Sequence, residues 1–226
     1  MTLILVAHGT RAAAGQAQIH ALAARLSRRR PTLPVRLSYV DVQEPSLASV
    51  VSTVDAPAVA VPLLLTTGYH VRVDIASATA GTPVVAAPPL YDDRLVAALA
   101  DRVALADRAS AAGPADAVVL AAAGSSDPRG RADVAAVADA LPFPCHVAYA
   151  SPSLTPRVPD VVAALRAQGA ARITVAAYLL VDGLFHRSLY TAGADAVTAP
   201  LITHPAVTDL VLRRYDEALP RISLAA

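Results

Sequence analysis

Short, wholly apolar runs alternate along the chain with longer stretches in which apolar residues recur every three or four positions. Residues 3–7 form a compact apolar run that ends at His8-Gly9-Thr10 and read as a buried first strand. Over 16–29, Ile19, Leu22, Ala23 and Leu26 share one helical face, and Pro31 and Pro34 stop the pattern. Residues 35–42 read as a second strand, 45–54 as a helix, 58–65 as a third strand, 83–86 as a fourth and 92–105 as a closing helix. A continuously apolar strand such as 58–65 needs burial on both faces, the setting of a parallel sheet covered by helices.

The pattern then restarts. Residues 118–123 parallel 3–8, Gly124-Ser125 falls on Gly9-Thr10, and Tyr149 falls on Tyr39. Residues 173–180 parallel 58–65, and Gly183-Leu184-Phe185-His186 parallels Gly68-Tyr69-His70 with one residue inserted. Pro200-Leu201 parallels Pro89-Leu90, and closing helices follow at 95–105 and 207–219. Matches in one order point to an internal duplication. The fold class expected is α/β: two similar domains, 1–109 and 116–226, each a small parallel sheet flanked by helices, joined by a linker near 110–115.

Composition narrows the function. Nineteen Lys+Arg against 18 Asp+Glu give a net charge of +1, without the basic stripe of a nucleic-acid binder. No apolar stretch approaches the roughly 18 residues of a membrane span, and residues 1–7 lack the basic leader of a signal peptide. Cys145 is the single cysteine, which excludes an intrachain disulfide and a cysteine metal cluster and fits a cytoplasmic setting.

The candidate chemistry lies at strand ends. In open α/β sheets, ligands bind beyond the carboxyl ends of the strands. His8 follows the first strand, His70 follows the third and Glu44 follows the second, so all three face one edge. Two imidazoles and a carboxylate suit a borderline cation such as Fe²⁺, Co²⁺ or Ni²⁺, and an imidazole accepts protons near neutral pH. A histidine at a strand end can equally be an ordinary hydrogen-bonded residue, and spacing alone names neither metal nor substrate.

LILVAHGTR at 3–11 and VPLLLTTGYHVRVDI at 61–75 resemble the two histidine motifs of the sirohydrochlorin chelatases, the class II tetrapyrrole metal chelatases. The resemblance covers nearly the whole chain and is closest to two-domain, actinobacterial-type members. It implies that His8 and His70 are metal ligands, that His8 is also the catalytic proton acceptor, and that Glu44 contacts substrate. It further implies that Leu65, Thr66, Thr67, Gly68 and Tyr69 line the tetrapyrrole and that Gly9 and Thr10 let the backbone approach it. Arg11 and Arg72, which flank the histidine motifs, are candidates for binding substrate by clamping its carboxylates, as are Arg129, Arg131 and Arg187 from the second half.

In the second half Ala123 stands in place of the first histidine, and counting from Tyr149 puts Leu154 in place of Glu44; only His186 is retained. One active site per chain is therefore expected, with the second half a degenerate chelatase-like domain. The implied reaction is metal insertion into sirohydrochlorin or a related tetrapyrrole, with Fe²⁺ or Co²⁺ as substrate and no tightly bound cofactor. Iron leads to siroheme; cobalt leads toward cobalamin and is the alternative, as is a non-catalytic metal or tetrapyrrole carrier. A monomer carrying an internal pseudo-dimer is expected, a dimer remaining open. A histidine-phosphatase reading of His-Gly-Thr-Arg fails on Ala7, where such enzymes have arginine.

Overall fold

The structure, a computed structural model, describes residues 1–223. The chain packs into two compact units: Met1–Tyr91 together with the chain from Ile202 onward, and Asp92–Leu201.

In the first unit, β1 (Thr2–Ala7), β2 (Val35–Tyr39), β3 (Ala58–Pro62) and β4 (Val84–Ala86) form a wholly parallel sheet in the order β2-β1-β3-β4. β1 and β3 are central. Leu3 to Val6 and Ala58 to Val61 are fully buried, which is why these strands carry no alternation. One face is sealed by α2 (Leu47–Val51) and by the segment after β3: Leu47, Val50, Val51 and Ile75 pack on Ile4, Val6, Ala58 and Ala60. α1 (Ala13–Arg29) buries Ile19, Leu22 and Leu26, as its apolar spacing predicts.

Two strands end earlier than the apolar pattern suggests. β2 stops at Tyr39 instead of 42; the amides of Val40 and Asp41 still donate to the Ala7 and His8 carbonyls, and Val42 then takes a left-handed backbone (φ 65) that ends the extended run. β3 stops at Pro62 instead of 65; the Leu63 amide still donates to the Val6 carbonyl at 2.8 Å before the chain leaves the sheet. Residues 70–79, which the apolar spacing left without an element, form a π-helical turn (His70–Ile75) running into α3 (Ala76–Thr79).

The second unit repeats the plan with β5 (Ala117–Ala122), β6 (His146–Tyr149), β7 (Ile173–Tyr178) and β8 (Ala196–Val197), parallel in the order β6-β5-β7-β8. Its helices are α4 (Asp93–Ala109), α5 (Pro128–Ala140), α6 (Val158–Ala167) and α7 (Leu184–Leu189). Arg172 is buried here, its guanidinium donating to Asp107 Oδ1 at 3.0 Å and to the carbonyls of Ala106 and Gly113. A buried guanidinium is tolerated because its donors are satisfied.

The units and the sequence repeat differ at the closing helices. α4 follows β4 in sequence, yet it packs on β7 and α5 of the second unit. α8 (Pro205–Ser223), at the far end of the chain, packs on β3, β4 and α1 of the first. Val207, Leu210 and Val211 of α8 are fully buried there. Arg214 pins the helix by donating to the carbonyls of Pro89 and Tyr91, at 3.2 and 2.7 Å. Arg30 forms a bidentate pair with Asp216 at 2.6 and 2.5 Å.

Candidate functional site

The strand order places the site. Chain connections leave β1 toward β2 and return to β3 on the other side of β1, so the order of strand addition reverses between the adjacent, parallel strands β1 and β3. Such a switch point opens a crevice beyond the strand ends. His8 follows β1 and His70 lies just past the loop after β3. Their rings meet edge to face, 4.7 Å between centroids and 89° between planes.

The two histidines are held differently. The backbone of His8 is fixed because its carbonyl accepts from the Asp41 amide at 3.1 Å, while its exposed ring has only a 3.4 Å contact from Nδ1 to the Gly9 carbonyl. His70 opens the π-helical turn, and its Nδ1 lies 2.6 Å from Asp74 Oδ2. A carboxylate accepts only, so Nδ1 carries the proton and Nε2 keeps its lone pair.

The loop around His8 explains its glycine. Gly9 has φ +98, and a Cβ there would lie 2.2 Å from the Asp41 carbonyl oxygen. Close approach of the 41–43 chain therefore requires glycine at this position. The Thr10 amide donates to Gln43 Oε1 at 2.8 Å and its hydroxyl accepts from the Ala12 amide at 3.1 Å, so Thr10 is occupied in shaping this turn. Gln43 also hydrogen-bonds Tyr39, whose phenol is pushed above its ordinary value by burial, with the Gln43 bond acting in the opposite sense. Arg11 is exposed.

Glu44 is exposed, and its Oε2 accepts from the Ser46 amide at 2.6 Å, at the start of α2. Among the described residues no three His, Cys, Asp or Glu side chains are arranged to hold a metal ion together, so Glu44 does not join the imidazoles in such a set. Leu65, Thr66, Thr67 and Gly68 are half-buried along the loop that leads to His70. Tyr69 is 56% exposed, its ring 6.1 Å from that of His70, and it presents an aromatic face beside the pair. Sequence reading missed Asp74. The signal was available, since Asp74 follows His70 by four residues and that spacing puts two side chains on one helical face.

The second unit keeps the scaffold without the site. Ala123 stands where His8 does. The Tyr39 amide donates to the Pro45 carbonyl at 3.0 Å and the Tyr149 amide to the Pro156 carbonyl at 2.9 Å. Pro156 thus corresponds to Pro45, and the counterpart of Glu44 is Thr155, not Leu154, because the second loop is one residue longer. His186 is buried, its Nε2 donating to the Thr198 carbonyl at 3.0 Å while Nδ1 makes no hydrogen bond. Two of the arginines considered for carboxylate clamping are turned onto their own unit. Arg131 donates to the carbonyls of Ser125 and Ser126 at 3.0 and 3.1 Å, and Arg187 to Asp182 at 3.2 Å.

No helix among the described residues is long and apolar enough to cross a membrane. No curated protein matches the sequence. The chain is similar to SirB from Bacillus subtilis solved with Fe³⁺, at 23% identity and a TM-score of 0.76, over 96% of this chain and 94% of that one. It is similar to the sirohydrochlorin chelatase SirB from Bacillus subtilis subspecies spizizenii in complex with cobalt, at 22% identity and a TM-score of 0.70, with the same coverage of 96% and 94%. It is also similar to CbiX, the terminal enzyme for biosynthesis of siroheme in denitrifying bacteria, at 20% identity and a TM-score of 0.69, over 96% and 99% of the two chains. Identities this low establish a shared fold. The CbiX family model matches the sequence itself, once over residues 2–106 and again over 117–218, and so accounts for both halves of the duplication. The chain belongs to the CbiX family, the sirohydrochlorin chelatases.

Proposed function

We propose that this protein inserts Fe²⁺ into sirohydrochlorin to give siroheme, with His8 and His70 as the metal ligands. The observation that carries the reading is the paired imidazoles at the β1/β3 switch point, 4.7 Å apart, in a chain of the chelatase family. A metal that is substrate must be bound and then surrendered. Two nitrogen ligands leave coordination positions for the incoming macrocycle nitrogens, whereas a closed four-ligand site would retain the ion.

The reaction balances as M²⁺ entering and the two central N–H protons leaving. Once the metal has passed to the macrocycle, the lone pair that His8 releases takes one of the two protons and solvent takes the other; the exposed His8 ring has no short hydrogen bond to break first. Such general-base help is worth about 10²–10⁴-fold. His70, fixed through Nδ1, offers Nε2 to the metal and holds it against the macrocycle face, which is a proximity effect. Tyr69 and the loop from Leu65 supply the surface for that face, and Gly9, Thr10, Arg11 and Glu44 border it. The single site belongs to the repeat at 1–109, and the degenerate repeat at 116–226 lets the chain act as a cytoplasmic monomer.

The test is anaerobic insertion, following the absorbance of sirohydrochlorin mixed with the protein and Fe²⁺ or Co²⁺. Acceleration over the spontaneous reaction, greater with Fe²⁺, is expected. Faster cobalt insertion would assign the enzyme to a cobalt pathway, and binding without acceleration would make it a carrier.

A further inference from the structure

The two histidines of the pair are not equivalent, and the difference lies in one carboxylate. Asp74 Oδ2 lies 2.6 Å from His70 Nδ1, a short contact between an N–H donor and a carboxylate. The π-helical turn His70–Ile75 carries both partners, four residues apart. Ile75, the next residue, is fully buried in the core under the sheet, and its carbonyl accepts from Thr79 Oγ1 at 2.9 Å. The carboxylate is thus mounted beside a fixed point.

The second unit supplies an internal comparison. The residue four beyond His186 is Tyr190, whose ring meets the imidazole edge to face at 5.3 Å and offers no carboxylate. The nearest carboxylate, Asp182 Oδ1, is 3.8 Å from Nδ1, outside hydrogen-bond distance. There Nε2, the nitrogen free in His70, is consumed by the Thr198 carbonyl. Where the carboxylate is absent, the histidine has turned inward.

We propose that Asp74 is the positioning residue of the metal site. Its carboxylate holds His70 in the Nδ1–H tautomer and fixes the ring so that Nε2 is free for the ion. The proposal rests on His70 being a metal ligand. Carboxylates behind metal-binding imidazoles commonly contribute 10–100-fold to affinity.

The test uses the full-length, metal-free protein and Co²⁺ alone, without tetrapyrrole, so that binding is read apart from insertion. Co²⁺ affinity is measured for wild type, Asp74→Ala, Asp74→Asn and His70→Ala. The tautomer of His70 is read from its ring ¹⁵N shifts at a pH where the imidazole is neutral. The expected result is an Nδ1–H tautomer in wild type, lost in Asp74→Ala together with about 10–100-fold of Co²⁺ affinity, with an unchanged far-UV circular dichroism spectrum. Asp74→Asn, whose amide oxygen still accepts from Nδ1–H, should keep the tautomer and recover part of the affinity. Asp74→Ala with wild-type tautomer and affinity, beside a His70→Ala that has lost binding, would overturn the proposal alone. Co²⁺ binding indifferent to His70→Ala would overturn the ligand reading and the proposal with it.

Discussion

Exchange of the closing helices predicts that damage to one half of the sequence appears in the other half of the structure. Leu210 on α8 is fully buried against the first unit, and Leu99 on α4 is fully buried in the second. Truncation of either to alanine removes the same atoms and leaves a cavity of similar size, which costs roughly 2–5 kcal/mol in such sites. A loss of about 3 kcal/mol raises the exchange rate of an amide that opens with its unit by roughly a hundredfold. The assay is native-state hydrogen exchange at β3 (Val59 to Val61) and β7 (Val175 to Ala177), the central strands beside each helix. Leu210→Ala should loosen β3, which leads to the His70 loop, and spare β7. Leu99→Ala, although it lies in the N-terminal half of the sequence, should loosen β7 and spare β3. The opposite assignment, or equal loosening of both sheets, would refute the exchange.

Gly9→Ala forces a Cβ to within 2.2 Å of the Asp41 carbonyl at φ +98. The left-handed backbone alone costs about 1–2 kcal/mol, so Tm should fall by roughly 2–8 °C; a Tm equal to wild type would show that the turn relaxes freely. The Asp195 carboxyl is held below its ordinary value of 3.8, first by the Ile173 amide and then by Arg166. A depressed carboxylate contributes stability that is present above its unfolded value and is lost as pH falls through the folded one. Asp195→Asn should therefore flatten the acid limb of stability below about pH 4, and coincident acid limbs would contradict the assignment.

The two sheets were legible because the central strands of a parallel sheet carry continuous apolar runs, and the duplication because those runs recur in order. Which sheet each closing helix serves was not legible. α4 and α8 both present an apolar stripe of helical period, with Leu95, Val96, Leu99 and Val103 on one and Val207, Leu210 and Val211 on the other. A stripe says that a helix is buried and is silent about its partner. His8 and His70 could be placed at one edge because each follows a strand whose direction is set by the parallel sheet. Glu44 could be placed there too, but its hydrogen bond to the Ser46 amide depends on the local path of the chain at Pro45. Asp74, within the second motif, is marked only by its four-residue spacing from His70, because the π-helical turn that aligns the two leaves no separate trace in hydropathy. The one-residue difference between the Glu44 and Thr155 loops was invisible to counting from Tyr149 and appears only in the backbone hydrogen bonds.

The joint role of His8 and His70 in metal insertion is tested by single-turnover, anaerobic insertion of Fe²⁺ into sirohydrochlorin by wild type, His8→Ala and His70→Ala at matched protein concentration. Wild type should accelerate the reaction, His8→Ala should lose about 10²–10⁴-fold in rate while staying folded, and His70→Ala should need far more metal to reach the same rate. Insertion at the wild-type rate by either variant would remove that histidine from the reaction.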